Sequence, residues 1–250
     1  MKTKSLLSIP MLLLSMLIQG QSMKSSSETF TRQDTLRGSI TAERIWWDLN
    51  YYNLDIAVNP KTKSIKGKNT IRYTILEPYQ TLQIDLQAPM KLTKAVQDGE
   101  ELAVLKEGNA HFIALKKQQN AIGSQEEIEI FYEGQPRVAV RAPWDGGISW
   151  KKDKNGNDFI ASSCQGLGAS VWWPNKDHMY DEVDSMKISV NVPKHLMDIS
   201  NGRLQSIEEH DDETTTYNWW LRIQLTIMES TSILVIMFIS QKYMMEKKAL

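Results

Sequence analysis

The sequence predicts an all-β fold, an antiparallel β-sandwich, for the central part of the chain. Apolar and polar residues alternate in most segments between residues 49 and 220, and this period of two is typical of strands with one buried face. Clusters of Gly, Pro, Asp and Asn separate these segments, as turns separate short strands. No stretch of twelve or more residues before residue 220 has amphipathic helical spacing.

The first twenty residues have the layout of a secretory signal. Lys2 and Lys4 precede an apolar run over 6–18, and Gly20 follows where a signal peptidase would cut. We therefore expect a Sec-type signal peptide over 1–20 and a periplasmic or secreted product, with an uncleaved N-terminal anchor as the alternative. The run is too short for a bilayer, so no stable membrane span is predicted.

A flexible leader is predicted over 21–43, because this stretch is rich in Ser, Thr and Gln and poor in large apolar residues. The domain follows over 44–220. Its first two strands are predicted as a hairpin, since alternate positions are apolar up to Val58, Pro60 marks a turn, and the alternation resumes over 65–76. Further strands are predicted over 81–86, 102–105, 111–115, 128–132, 159–162, 186–192 and 214–220.

Charge and cysteine content exclude several classes of function. The chain has 29 basic and 30 acidic residues, a formal net charge of −1, so it lacks the basic surface that nucleic-acid binding needs. Cys164 is the single cysteine, which excludes an intramolecular disulfide. No two of the four histidines are four residues apart, and there is no His-Glu-x-x-His zinc motif and no Gly-x-Ser-x-Gly nucleophile elbow.

The remaining chemical candidates favour structural roles. His178 with Asp177, Asp181, Glu182 and Asp184 has mixed donors for a metal, but a solvated acidic loop is the favoured interpretation. Cys164 is expected to be buried as a small apolar residue rather than to act as a nucleophile. The acidic residues at 126, 127 and 129 have strand spacing, which predicts a solvated face.

The segment 134–184 combines large aromatic residues with glycines. It holds four of the eight tryptophans, at 144, 150, 172 and 173. Glycines beside rigid aromatics allow close backbone approach and suit a binding edge. Composition alone favours the alternative, that these tryptophans cap the end of the sandwich core.

Three strings in this segment resemble the N-terminal domain of the M1 family of zinc aminopeptidases, in particular its exported bacterial members. They are RAPWDGG at 141–147, FIASSCQGLGA at 159–169 and WWPNKD at 172–177. The resemblance covers roughly 44–220. It implies a saddle-like β-sandwich that leans on a thermolysin-like catalytic domain.

The resemblance also implies a site residue. Gln165 corresponds to the Gln or Glu that receives the free α-amino group of the peptide substrate, and Gly166 lies in the same loop. An amide oxygen can accept a hydrogen bond from an ammonium group, although nearby carboxylates would have to supply the negative charge that glutamine lacks. The alternative for Gln165 is an ordinary turn residue.

The family's Gly-x-Met-Glu-Asn loop and zinc ligands do not occur before Leu250. We therefore expect no cofactor in this chain, zinc in the catalytic domain of the parent enzyme, and no peptide hydrolysis by this chain alone. A free-standing exported module that binds peptide or glycan is the alternative function. A nonfunctional product of a broken gene is a third.

The last thirty residues, 221–250, differ from the rest. They are rich in Ile and Met and contain no Gly or Pro. One interpretation is a genuine C-terminal helix or strand pair. The other is a reading-frame slip that replaces the last strands of the domain and leaves apolar surface and strand edges uncovered, which would favour aggregation.

Overall fold

Strands dominate the part of the chain that the structure, a computed structural model, describes: residues 29–222 and the backbone of 237–240. The predicted signal peptide over 1–20 lies outside the described residues, as does most of the tail. None of the helices formed by the described residues has the length and apolar content needed to cross a membrane.

The described chain begins with two short helices, α1 (Arg32–Gly38) and α2 (Ala42–Ile45), and continues mainly as strands. The strands are β1 (Trp47–Asn59), β2 (Ser64–Ile75), β3 (Thr81–Asp85), β4 (Lys91–Gln97), β5 (Glu100–Glu101), β6 (Ala103–Glu107), β7 (Ala110–Ala114), β8 (Gln125–Gly134), β9 (Gly147–Lys152), β10 (Asp158–Ser163), β11 (Ser185–Pro193), β12 (Leu196–Ile199), β13 (Arg203–Glu209), β14 (Thr214–Arg222) and β15 (Met237–Ser240). A single 3₁₀ turn, Ala169–Val171, lies between β10 and β11.

The predicted hairpin forms the centre of the largest sheet. β1 and β2 pair antiparallel from Trp47 opposite Ile75 to Asn59 opposite Ser64. The turn forms where Pro60 indicated, and the Asn59 side chain accepts a hydrogen bond from the Lys61 amide at 3.0 Å. The strand order of this eight-stranded sheet is β13-β14-β11-β1-β2-β8-β4-β5.

One strand pair departs from the predicted antiparallel arrangement. β1 and β11 run parallel, from Tyr51 opposite Ser185 to Ala57 opposite Asn191. Parallel neighbours need a long crossover, and more than a hundred residues separate these two strands along the chain. Alternation of polar and apolar residues is the same in both arrangements, so the sequence pattern alone did not distinguish them.

Two smaller sheets share a core with the large one. Their strand orders are β3-β7-β6 and β12-β15-β10-β9. One cluster of buried side chains includes Ile71 of the large sheet, Ile84 of the three-stranded sheet and Ile160 of the four-stranded sheet. The all-β, sandwich-like class predicted from the sequence is confirmed.

Helix α1 lies within the stretch predicted as a leader over 21–43, of which residues 29–43 are described. Thr31 and Asp34 form a capping box at the start of α1, in which the Thr31 hydroxyl accepts from the Asp34 amide at 3.2 Å. Leu36 is 2% exposed and anchors the helix in the core. A helix of seven residues with one buried apolar side chain has no detectable hydrophobic period, so the sequence pattern did not indicate α1.

Two short stretches of the tail are described, residues 221–222 and the backbone of 237–240. Strand β14 continues to Arg222, two residues beyond the predicted boundary. The backbone of β15 pairs antiparallel with both β10 and β12, with Phe238 opposite Ile160 on one side and opposite Asp198 on the other. The origin of the tail in a reading-frame slip stays a prediction.

Candidate functional site

Residues 164–168, here called the site loop, join β10 to the 3₁₀ turn. The amides of Leu167 and Gly168 both donate to the Cys164 carbonyl, at 3.2 and 2.8 Å, and so close a tight turn. Gly166 and Gly168 have φ values of 72° and 80°, in the left-handed region that favours glycine. This geometry leaves Gln165 exposed at the tip of the loop, with no hydrogen bond to another residue in the range 29–222.

The base of the site loop is held by polar side chains. The Gln87 amide donates to the Leu167 carbonyl at 2.6 Å and to the Ser170 hydroxyl at 2.8 Å. Ser170 in turn donates to the Asp177 carboxylate at 2.5 Å. Gly168 lies against that carboxylate so closely that a Cβ there would overlap it. These contacts hold the C-terminal end of the loop and do not involve Gln165 at its tip.

The segment that follows, predicted as a solvated acidic loop, is instead partly buried and paired. Lys176 is 4% exposed, and its ammonium group donates to the Asp181 carboxylate and, at 2.7 Å, to the Trp47 carbonyl. Burial lowers the pKa of Lys176 to about 8 and raises the pKa of Asp181. The prediction of a solvated acidic loop was wrong, because the sequence does not show which acidic side chain is buried beside a cationic partner.

Two of the acidic candidate ligands have partners within the protein. Asp177 is engaged with Ser170, and Asp181 with Lys176. Within residues 29–222, no three His, Cys, Asp or Glu side chains are close enough together to hold an ion.

Cys164 is buried, as predicted. It is 4% exposed, and burial raises the pKa of its thiol to about 11. A thiol with this pKa is protonated at neutral pH and is a poor nucleophile.

The tryptophans divide between the two predicted roles. Trp172 and Trp173 are buried in the core with ring centroids 6.0 Å apart, and Trp150 packs against the core while partly buried. These three fit the prediction of a core cap. Trp144 is 78% exposed, so the prediction of a core position is wrong for this residue.

An open groove of about 600 Å³ lies beside Gln165. Its lining includes Asp34, Arg37, Gln165, Gly166, Asp177, His178 and Met179. Hydrogen bonds from Thr31 lower the pKa of Asp34, so this carboxylate is ionised at neutral pH. A groove with an exposed amide and carboxylate groups has the chemistry to bind a small cationic group.

Sequence reasoning did not predict Asp34 or Arg37 in this groove. Arg37, in the last turn of α1, donates from its guanidinium to the Gly166 carbonyl at 2.7 Å. The two residues are 129 positions apart, and no local pattern indicates such a contact.

The fold matches part of several solved zinc metallopeptidase structures. The chain is similar to an M1 zinc metallopeptidase from Deinococcus radiodurans, with a TM-score of 0.61, 16% identity and coverage of 79% of this chain. It is also similar to a mutant of that enzyme, with a TM-score of 0.63, 16% identity and 82% coverage. A third structure, the mutant bound to a Tyr-Ser-Ala substrate, matches with a TM-score of 0.61, 17% identity and 79% coverage.

A model of the peptidase M1 N-terminal domain family matches residues 49–226, more than half of the chain. The chain therefore belongs to this family. It spans 43 to 44% of the length of the solved structures described above. A search of curated proteins found no significant match.

Proposed function

We propose that this chain is the N-terminal part of a zinc aminopeptidase, in which Gln165 receives the free α-amino group of a peptide substrate. One observation carries the proposal: the Gln165 side chain is exposed at the tip of a tight loop, beside a groove, with no hydrogen bond inside the described protein. Family membership supports the enzyme class. The Tyr-Ser-Ala substrate bound by one structural relative supports the substrate class.

The groups beside Gln165 match the hydrogen-bond donors and the positive charge of an α-ammonium group. A primary ammonium group has three donors, and the amide oxygen of Gln165 accepts one of them. The exposed Asp34 carboxylate lines the same groove and supplies negative charge that a neutral amide lacks. A peptide with a blocked amino terminus has lost this charge and two of the three donors, so the site would discriminate against it.

The zinc of the proposed parent enzyme would be held outside this domain. Among residues 29–222, no three His, Cys, Asp or Glu side chains come close enough together to hold an ion, and Asp177 and Asp181 are engaged by Ser170 and Lys176. We therefore derive no hydrolytic step from these residues and propose that the chain alone does not cleave peptides. We also propose export through the signal at 1–20, which mass spectrometry of the mature amino terminus would test.

Sequencing of the genomic DNA from codon 215 through the following kilobase tests the parent enzyme directly. The proposal expects coding sequence for Gly-x-Met-Glu-Asn and His-Glu-x-x-His downstream, in the same frame or in one displaced by a slip. An intact 250-codon frame followed by an unrelated gene would contradict it and would favour a free-standing binding module.

The role of Gln165 is tested by NMR titration of the 250-residue chain with Tyr-Ser-Ala and with its N-acetylated form. We expect the free peptide to shift the signals of the site loop and the acetylated peptide to leave them unchanged. Gln165→Ala should weaken this binding about tenfold, the effect of one charge-assisted hydrogen bond. Gln118→Ala, at an exposed glutamine outside the groove, is the matched control. Equal binding of the two peptides would contradict the proposal.

A further inference from the structure

Helix α1 reaches the site loop from outside the region that defines the family. The family match begins at residue 49, whereas α1 ends at Gly38. Arg37 nevertheless donates to the Gly166 carbonyl at 2.7 Å. The contact joins a segment that family membership does not explain to the residue next to Gln165.

The helix is held firmly enough to act as a support. Leu36 is buried, and its carbonyl accepts a hydrogen bond from the Gln83 amide at 3.1 Å. The Arg44 guanidinium donates to the Ser39 carbonyl at 2.9 Å, just beyond the end of α1. His178, across the groove, has its ring nitrogen 3.2 Å from the Gly38 carbonyl. The backbone on either side of Arg37 is therefore held by side chains from three separate parts of the domain.

The tip of the site loop depends on that support. Gly166 has a left-handed φ of 72°, and the position of a Cβ there has no neighbouring atom within 4 Å. The loop's own hydrogen bonds tie Leu167 and Gly168 to Cys164 and leave the Gly166 carbonyl to an outside donor. Among the described residues, Arg37 is that donor.

We propose that α1 is a brace for the site loop and that Arg37 is a positioning residue, which fixes the Gly166 carbonyl and so holds Gln165 at the mouth of the groove. The guanidinium acts through the loop backbone and not on the substrate. A fixed loop loses less conformational entropy when it binds a ligand, and this favours affinity. The inference rests on the proposed function of Gln165 but concerns a contact that can be measured without substrate.

Amide hydrogen exchange on the full 250-residue chain tests the brace. We expect Arg37→Ala to raise the exchange rate of the Leu167 and Gly168 amides about tenfold, because the loop opens more often without its charged hydrogen bond. Arg37→Lys, which keeps one cationic donor, should recover part of the protection. Arg32→Ala is the matched control, since Arg32 lies on the same helix but pairs with Glu107 at 3.0 Å.

The same variants are then titrated with Tyr-Ser-Ala and its N-acetylated form. The brace predicts weaker binding of the free peptide by Arg37→Ala at an unchanged melting temperature, partial rescue by Arg37→Lys, and no effect of Arg32→Ala. Unchanged exchange of the loop amides in Arg37→Ala would overturn the brace, whatever the peptide result. Faster exchange with no peptide binding even by the unaltered chain would leave the contact standing and reject the proposed function of Gln165 together with the positioning role.

Discussion

The Arg44 guanidinium lies 2.5 Å from the Asp85 carboxylate, and both side chains are almost completely buried. Arg44 also donates to the Ser39 carbonyl, and Asp85 accepts from the Asp177 amide at 3.2 Å. The ion pair therefore connects the end of α1, strand β3 and the segment after the site loop.

Breaking this pair should destabilise the domain strongly. Arg44→Met leaves the Asp85 carboxylate buried without its cation, and we expect a loss of about 3–5 kcal/mol in the free energy of unfolding. Urea unfolding followed by tryptophan fluorescence measures it. Arg72→Ala is the control, because Arg72 pairs with Glu127 at the surface and should cost less than about 1 kcal/mol. Equal losses in the free energy of unfolding would show that the buried pair contributes no more to stability than the surface pair.

Alanine should be tolerated better at Gly166 than at Gly168. Both glycines have left-handed φ angles, so each substitution destabilises the folded backbone by about 1 kcal/mol. Only at Gly168 would the new Cβ also overlap the Asp177 carboxylate, which adds about 1–3 kcal/mol. Chemical unfolding of the two variants checks the difference. If Gly168→Ala were no less stable than Gly166→Ala, the packing of Asp177 on the loop would be wrong.

Asp198 should make the domain less stable as the pH rises from about 4 to 8. This side chain is 1% exposed, and burial raises its pKa to about 8 although the Trp219 indole donates to it at 2.7 Å. Between these pH values the folded state keeps a proton that the unfolded chain has released, so the free energy of unfolding falls with increasing pH.

Asp198→Asn removes that titration while its amide oxygen can still accept from Trp219. We expect the variant to exceed the unaltered chain in stability by about 4 kcal/mol at pH 7, with the advantage lost near pH 4. Denaturant unfolding at both pH values measures the change. Asp212→Asn is the control, because the pKa of the exposed Asp212 is lowered by a hydrogen bond from Thr214, so this variant should show no gain at pH 7. A pH-independent effect of Asp198→Asn would contradict the raised pKa.

Cys164 should react with a thiol reagent only after unfolding. Its pKa of about 11 and 4% exposure keep it protonated and shielded. At pH 8 we expect labelling at least about a hundredfold slower in the folded chain than in guanidinium chloride. The measurement is unambiguous because the chain has a single cysteine. Rapid stoichiometric labelling of the folded protein would show that the site loop does not cover the thiol.

Local patterns predicted many of the strands that have one clearly buried face, although β12, with alternate buried residues, was not predicted. The hairpin of β1 and β2 followed from alternating apolar residues and the turn at Pro60. Strand β13 was not predicted, because all seven of its residues are exposed and no alternation exists. Strand β9 was missed for a related reason: its buried residues are consecutive rather than alternate.

Within the candidate site, only the residues that lie in family-like sequence motifs could be predicted. Gln165 and Gly166 were predicted from the resemblance of 159–169 to the family. Arg37 was not, since its contact with Gly166 spans 129 positions. The buried pairing of Lys176 with Asp181 was missed as well, although the two are close in sequence, because burial of a charge depends on what covers it.

The sequence by itself determined the all-β class, the first hairpin, the family and the residue at the tip of the loop, because apolar alternation, turn residues and short sequence motifs are local properties of the chain. The tertiary structure alone decided that β1 and β11 run parallel, that α1 lies against the site loop, and that Asp85 and Asp181 are matched with Arg44 and Lys176. These contacts arise when the sheets pack around a common core. Packing brings together groups that no local spacing relates, and it removes the water that would otherwise make the charge pairs weak.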